Sequence, residues 1–270
     1  MPGFFANRVV LVTGASSGIG RALSLRLARQ GAKVGLVARR RELLGDLASE
    51  IRSAGGTAAL AIADVSQRDQ MHAAAKSIRD ELGPIDLLIA NAGIGTPTLL
   101  DPLNVHDVEK MFQVNVFGVI YAIEAVLPDM LRRKTGQIAA VSSLGAFKGL
   151  PGESGYCASK AAANVYLEGL RIQLRGTGIS VTIACPGFVE TPMTAVIDTP
   201  MPFLINAEKA ANCILWAICK RKKLYRFPRR MSWLMRLTAW LPDAIIAWSM
   251  RSYNEKPPMN ELNAQNGKTK

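Results

Sequence analysis

The chain contains 270 residues, a length typical of one large domain or two small ones. Hydrophobic residues make up 49% and charged residues 20%, which excludes a disordered or low-complexity chain. The four cysteines show no C-x-x-C spacing, which excludes a disulfide scaffold and a zinc ribbon. We therefore expect a globular protein with reduced thiols in the cytoplasm.

The net charge of +12 is concentrated near the end of the chain. Residues 220–270 hold 12 basic and 3 acidic side chains, whereas residues 1–219 hold 21 basic and 18 acidic ones. A protein that binds nucleic acid over its whole surface would spread this charge more evenly. We expect a basic carboxyl-terminal element and no nucleic-acid partner.

Short apolar runs alternate with longer stretches of helical periodicity as far as residue 190. The predicted strands are Arg8–Val12, Lys33–Ala38, Thr57–Ala63, Ile85–Ala90, Gln137–Ser142 and Ser180–Cys185, and the predicted helices are 18–30, 40–54, 67–82, 104–134 and 154–176. Continuous apolar strands that alternate with helices indicate a parallel sheet covered on both faces. We predict an α/β fold, a single doubly wound parallel sheet of Rossmann type, over 1–227. A helical extension and tail follow over 228–270.

A glycine-rich loop joins the first predicted strand to the first predicted helix. It consists of Gly14, Ala15, Ser16, Ser17, Gly18, Ile19 and Gly20. Glycines let the backbone approach a pyrophosphate, and the N–H groups at a helix start supply donors and positive potential. An ordinary turn is the alternative, but the position after the first strand of an α/β pattern favours dinucleotide binding.

Arg39 and Arg40 follow the second predicted strand, where no acidic residue is present. An acidic side chain at this position binds the ribose 2′-hydroxyl of NAD, whereas arginine accommodates the 2′-phosphate of NADP. A solvated basic helix start is the alternative, and it is weakened because cations are unfavourable at a helix N-terminus. The sequence therefore favours NADP, with NAD the second choice.

Five further motifs occur in order after the glycine loop. They are Asn91-Ala92-Gly93, Asn115, Ser142-Ser143, Tyr156-Cys157-Ala158-Ser159-Lys160 and Pro186-Gly187. A Tyr-x-x-x-Lys pair alone arises often by chance, but six motifs at the right spacing are specific. Over residues 8 to about 195, the chain resembles the common reductase branch of the short-chain dehydrogenase/reductase family.

Tyr156 and Lys160 lie four residues apart and share one face of a predicted helix. A neighbouring ammonium favours a phenolate, so we expect Lys160 to lower the pKa of Tyr156, which would act as general acid or base. The resemblance implies that Lys160 also holds the nicotinamide ribose and that Ser143 donates a hydrogen bond to the substrate oxygen. It further implies that Asn115 holds a water for proton return. Neither histidine has metal-ligand spacing, and we expect no metal site.

The resemblance implies a further set of cofactor contacts after the later strands. These residues are Asp64, Val65, Asn91, Ala92, Gly93, Pro186, Gly187, Val189 and Thr191. Among them, Asp64 and Val65 would contact the adenine, and Thr191 would reach the nicotinamide carboxamide.

The loop 190–206 is rich in large apolar residues and would line an apolar substrate pocket. We predict an oxidoreductase that transfers a hydride between NADP(H) and an apolar alcohol or ketone, such as a lipid-like, long-chain or sterol-like compound. The alternative is a regulatory protein that binds the nucleotide without turnover, and the intact set of Ser143, Tyr156 and Lys160 argues against it. We also expect a homo-oligomer, either a dimer or a tetramer.

Residues 220–250 combine seven cations in 220–230 with three tryptophans in Met231–Met250. Arg236, Pro242 and Asp243 make that apolar segment a poor bilayer span. We expect peripheral contact with a membrane surface through 220–250. A lid over the substrate and a subunit interface are the alternatives.

Overall fold

The computed structural model describes residues 3–195, 200–238, 240–249 and 251. Over these residues a seven-stranded sheet has the order β3-β2-β1-β4-β5-β6-β9, and every neighbouring pair is parallel. Its strands are β1 (Val9–Thr13), β2 (Lys33–Ala38), β3 (Thr57–Ile62), β4 (Leu87–Ala90), β5 (Gly136–Val141), β6 (Ile179–Pro186) and β9 (Leu224–Phe227). The predicted doubly wound parallel sheet is confirmed.

Helices cover both faces of this sheet. They are α1 (Gly18–Arg29), α2 (Arg41–Ser53), α3 (Arg68–Leu82), α4 (Val105–Phe112), α5 (Gly118–Arg133), α6 (Ser154–Gln173), α7 (Ala207–Cys219), α8 (Arg229–Thr238) and α9 (Asp243–Ser249). Buried side chains of α3, α5 and α6 form the core on one face, and those of α1, α2 and α7 form the core on the other. Burial on both faces explains why the strands are continuous apolar runs.

A separate pair of short parallel strands brackets the loop after β6. These strands are β7 (Val189–Glu190) and β8 (Ile205–Asn206). Of the predicted substrate loop 190–206, residues Val196, Ile197, Asp198 and Thr199 lie outside the described residues. The pairing of β7 with β8 holds the two ends of the loop together beside the carboxyl end of β6.

One predicted helix differs from the structure. The predicted helix 104–134 contains a π-helical turn, Gln113–Phe117, between α4 and α5. In the apolar segment after β9, α8 ends at Thr238 and α9 begins at Asp243, in agreement with the expected break at Pro242, which cannot donate the backbone hydrogen bond of a continuous helix. β9 ends at Phe227, the last residue of the predicted domain, and the boundary itself stays a prediction.

The helical stretch Val105–Arg133 is long and apolar enough to cross a membrane by length and composition alone. However, Ala122, Val126 and Met130 are buried in the core between this stretch and the sheet. We therefore assign it to the core of the α/β domain.

Candidate active site

The glycine loop is folded tightly against the strand ends. Gly14 has a φ of +65°, a left-handed conformation that glycine adopts without strain. A Cβ atom at Gly20 would lie 2.2 Å from the Gly14 carbonyl oxygen and 2.6 Å from the Asn91 side-chain nitrogen. Glycine is therefore required at position 20, and the first turn of α1 closes directly onto the loop.

Side-chain hydrogen bonds join the carboxyl ends of β1 and β4. Thr13 Oγ1 accepts from the backbone N–H groups of Asn91 at 3.0 Å and Ala92 at 3.1 Å. The Asn91 amide donates to the carbonyl oxygens of Thr13 at 3.0 Å and Gly14 at 3.3 Å. These reciprocal bonds fix the glycine loop relative to the centre of the sheet.

The two arginines after β2 have different partners. Arg40 donates to the Ser16 hydroxyl at 3.0 Å and to the Ser17 hydroxyl at 2.6 Å. Arg39 forms an ion pair of 3.4 Å with Asp64. Partial burial raises the pKa of Asp64, but hydrogen bonds from Ser66 and the charge of Arg39 outweigh it, so the pKa lies below its usual range. Both arginines are exposed and lie beside the loop in which an anion would be held.

The catalytic candidates lie at the carboxyl ends of β5 and β6. Tyr156 and Lys160 share one face of α6, and Lys160 Nζ is 5.8 Å from the centroid of the Tyr156 ring. Lys160 Nζ donates to the Val141 carbonyl oxygen at 3.2 Å. Ser143 follows β5 and accepts from the Gly145 N–H at 3.0 Å. The three side chains thus meet at one end of the sheet.

The prediction that Lys160 lowers the pKa of Tyr156 is wrong for this geometry. Burial raises the pKa of Tyr156 to about 12, and the contact with Ser143 offsets only part of this effect. Burial also lowers the pKa of Lys160 to about 8. Removal from water disfavours both charged forms, and Lys160 is not among the groups that shift the pKa of Tyr156.

Asn115 lies in the π-helical turn and is 1% exposed. Its side-chain nitrogen donates to the Ile94 carbonyl oxygen and the Ser159 hydroxyl, each at 2.9 Å. Its side-chain oxygen accepts from the Ile94 N–H at 2.9 Å. Asn115 therefore ties α6 to the loop after β4, which is a structural task that the sequence did not indicate.

Most of the predicted site residues line one cleft of about 350 Å³. They are Gly14, Ser16, Ser17, Ile19, Arg39, Arg40, Asp64, Val65, Asn91, Ala92, Gly93, Ser143, Tyr156, Lys160, Pro186, Gly187, Val189 and Thr191. Gly18, Gly20 and Asn115 do not line the cleft, but each of them contacts residues that do. The cleft runs from the arginines after β2 to the pair on α6.

The residues 8–201 match the family model described as short chain dehydrogenase. This match covers well over half of the chain and includes every element from β1 to the loop after β6. The chain is a short-chain dehydrogenase.

Two curated relatives of this short-chain dehydrogenase cover most of its length. An uncharacterized oxidoreductase of Myxococcus xanthus is 39% identical over 238 residues, which are 88% of this chain and 94% of the relative. Human 17-beta-hydroxysteroid dehydrogenase 13 is 29% identical over 252 residues, which are 92% of this chain and 84% of the relative. The similarity therefore supports an oxidoreductase.

A solved short-chain dehydrogenase/reductase from Burkholderia phymatum, in complex with NAD, has a similar fold. Its TM-score is 0.81 at 26% identity, and the alignment covers 86% of this chain and 93% of that one. In the present dehydrogenase, the tight loop, the helix start behind it and the polar cleft fit a dinucleotide of the same class.

Two functional residues of this dehydrogenase were missed from the sequence: Thr13 holds the glycine loop, and Ser159 accepts a hydrogen bond from Asn115. The loop 190–206 was predicted to line a pocket, and its residues Pro192, Met193 and Thr194 line the cleft. Thr13 could have been suspected because it ends β1 directly before Gly14. The turn within residues 191–194 could not be predicted, because its position depends on the β7–β8 pairing. Among the described residues, no group of three His, Cys, Asp or Glu side chains could hold a metal ion.

Proposed function

We propose that this short-chain dehydrogenase transfers a hydride between NADP(H) and an apolar alcohol or ketone of lipid-like, long-chain or sterol-like structure. One observation carries the proposal: Ser143, Tyr156 and Lys160 line one end of the cleft, and the glycine loop lines the other end. A protein that only bound the nucleotide would have no need of these three side chains.

In the proposed reaction, Tyr156 donates its hydroxyl proton to the carbonyl oxygen during reduction and takes it back during oxidation. A pKa of about 12 keeps the phenol protonated near neutrality, which suits it to the role of acid. The Ser143 hydroxyl donates to the same oxygen as negative charge develops. NADP(H), when bound, supplies or accepts the hydride.

Lys160 has two proposed tasks. As an ammonium with a pKa of about 8, it is mostly charged near neutrality and donates to the cofactor ribose. It also returns a proton toward Tyr156, with Asn115 beside it. A Cβ atom at Gly93 would lie 3.0 Å from Lys160 Nζ and 3.1 Å from Asn115 Oδ1, so both polar atoms face the same small space.

The preference for NADP rests on the residues after β2. Arg40 lies against Ser16 and Ser17 of the glycine loop, where it supports an additional phosphate. Arg39 is held by Asp64, which neutralises part of its charge. The acidic residue that would select NAD is absent directly after β2.

The described part of the loop 190–206 supports an apolar substrate. Met193 lines the cleft, and Phe203 and Leu204 are exposed beside β8. The name of the human relative indicates a hydroxysteroid, which belongs to this class of alcohol. We further propose a cytoplasmic homo-oligomer, a dimer or tetramer, that contacts a membrane peripherally through the part of 220–250 that follows β9.

The deciding experiment is a screen of apolar ketones with NADPH or NADH, and of alcohols with NADP⁺ or NAD⁺, followed by nicotinamide absorbance. We expect turnover of an apolar compound, faster with the phosphorylated cofactor, and its loss in Tyr156→Phe. If the wild type binds NADPH but never exceeds Tyr156→Phe in turnover, the chain is the nucleotide-binding regulatory protein instead.

A further inference from the structure

The basic and aromatic parts of 220–250 lie at opposite edges of the sheet. Lys220, Arg221, Lys222 and Lys223 form the turn before β9, whereas α8 and α9 follow β9. Because all strands are parallel, the carboxyl end of β9 shares its edge with the cleft, and the turn 220–223 does not. The two parts therefore cannot act as one continuous surface.

The segment after β9 exposes a set of large apolar side chains, which we call the tryptophan face. Its members are Trp233, Leu234, Leu237, Trp240, Leu241, Ile245 and Trp248. Trp240 is 89% exposed and Trp248 is 78% exposed. Met235 and Ile246, on the other side of the same helices, are buried. Such an exposed cluster marks an interaction surface.

The tryptophan face is attached to the catalytic end of the cleft. Met231 of α8 lies 3.2 Å from the position that a Cβ of Gly187 would take. The Arg226 guanidinium of β9 lies 3.7 Å from the centroid of the Phe147 ring. Phe147 belongs to the short helical turn that follows Ser143. Lys148, which follows this turn, pairs with Asp243 at the start of α9 at 3.4 Å. The segment that follows β9 is therefore packed against the helical turn that comes directly after Ser143.

The loops on the other side of the cleft also expose apolar side chains. Leu100 is 84% exposed and Leu103 is 56% exposed in the loop after β4, and Phe203 is exposed in the loop after β6. Both loops approach Tyr156, since a Cβ at Gly95 would lie 3.3 Å from its ring and 3.7 Å from the Met193 sulfur. Apolar groups thus flank the cleft at the same sheet edge as the tryptophan face.

The charges around the tryptophan face decide which occupant it fits. Arg229, Arg230 and Arg236 are exposed, and within the described part of 228–249 the acidic residue is Asp243, which is paired with Lys148. A second copy of the chain would bring two arginine sets together, which is unfavourable. Tryptophans combined with cations suit the interface of an anionic lipid bilayer.

We propose that the tryptophan face and the loop residues Leu100, Leu103 and Phe203 dock on an anionic bilayer with the cleft mouth toward the membrane. The substrate is then a membrane-resident lipid alcohol or ketone that enters the cleft from the bilayer. The docking proposal is supported by the exposed apolar and basic side chains alone, whereas the identity of the substrate rests on the proposed hydride transfer.

The first test compares two triple variants that each remove three positive charges. Arg229→Ser/Arg230→Ser/Arg236→Ser changes the cleft edge, and Lys220→Ser/Lys222→Ser/Lys223→Ser changes the opposite edge. Sedimentation with phosphatidylserine/phosphatidylcholine vesicles measures binding of the full chain. We expect the arginine variant to bind at least about tenfold more weakly and the lysine variant to bind like the wild type.

The second test measures insertion with vesicles that carry brominated acyl chains, which quench nearby indoles. Three single-tryptophan variants, with the other tryptophans changed to phenylalanine, would retain Trp240, retain Trp216, or carry Phe203→Trp. The Trp216 ring of α7 packs on the Tyr225 ring of β9, with 5.1 Å between their centroids. Trp216 lies outside the proposed docking surface and serves as the control. We expect quenching at positions 240 and 203 and none at 216.

The proposal is overturned if the wild type does not bind vesicles, if the lysine variant is the one that loses binding, or if Trp216 is quenched instead. A change of oligomeric state in Trp240→Ser/Trp248→Ser without vesicle binding would assign the face to a second copy. Turnover of a dispersed ketone, measured on the same preparations, tests hydride transfer separately, so either idea can fail alone.

Discussion

The two ends of the cleft differ in how their polar groups are satisfied. At the nucleotide end, Thr13, Asn91 and Arg40 each make two or more hydrogen bonds to neighbouring groups. At the catalytic end, the buried Ser142 hydroxyl has the Cys185 thiol as its neighbour, and Lys160 donates to a carbonyl oxygen and has no carboxylate partner among the described residues. The nucleotide end is therefore built for rigidity, whereas the catalytic end keeps polar groups available for substrate and cofactor at a cost in stability.

The largest expected effect is on turnover at the catalytic end. Tyr156→Phe should lower kcat by about 10²–10⁴-fold, because the proton donor is lost while the ring remains. NADPH affinity and thermal stability should stay close to those of the wild type. Steady-state kinetics, cofactor titration and a melting curve on the same variant check all three expectations. Substantial residual turnover would assign the proton to another group.

At the nucleotide end, the expected loss is in folding stability. Thr13→Val removes the acceptor for two backbone N–H groups and should lower the free energy of unfolding by about 2–4 kcal/mol. Thr182→Val is the matched control, since Thr182 is 0% exposed and its hydroxyl has no partner among the described residues. Urea denaturation should show the control unchanged or more stable. Equal losses in both variants would contradict the comparison.

Lys160→Met should stabilise the protein while abolishing turnover. Burial lowers the pKa of Lys160 in the folded state to about 8, from 10.5, so the penalty for the buried charge is fully present below pH 8. As pH rises from 8 to 10.5, the folded state loses this proton before the unfolded state does, and wild-type stability recovers. The variant should therefore exceed the wild type by about 1–3 kcal/mol near neutrality. Denaturation at several pH values should show this advantage shrinking above pH 8.

The smallest expected effect concerns cofactor choice. Arg40→Ala removes a charge beside Ser16 and Ser17 and should raise KM for NADPH by about tenfold while leaving NADH almost unchanged. Arg41→Ala is the control, because Arg41 is exposed and does not line the cleft. If both cofactors weaken equally in Arg40→Ala, that arginine shapes the loop and does not read the 2′-phosphate.

Local patterns predicted the sheet because each strand is a continuous apolar run and each helix is amphipathic. Predicted strands β1–β6 end within two residues of those observed, since Gly, Asn and Pro punctuate the chain there. The pKa shifts of Tyr156 and Lys160 could not be predicted in the same way. Helical spacing shows that the two side chains share a face, but their burial depends on the 191–194 turn and the loop after β4, which are distant in sequence.

The placement of 220–223 also escaped the sequence analysis. A basic run and an aromatic run that adjoin in sequence suggested one surface. The four residues of β9 carry the chain across the sheet between them. Strand direction, and not sequence distance, decides which residues lie at the same end of the parallel strands.

The π-helical turn Gln113–Phe117 has a consequence for chain length. Removing a single residue from it would allow α4 and α5 to join as a regular helix and would rotate α5 by about 100° about its axis. The side chains of α5 that face the core would then leave it, namely Ala122, Ile123, Val126 and Met130. Asn115 would lose its hydrogen bond with Ile94. Exposed loops commonly accept insertions and deletions, but this turn, which holds Asn115 buried, requires its residue count to be kept.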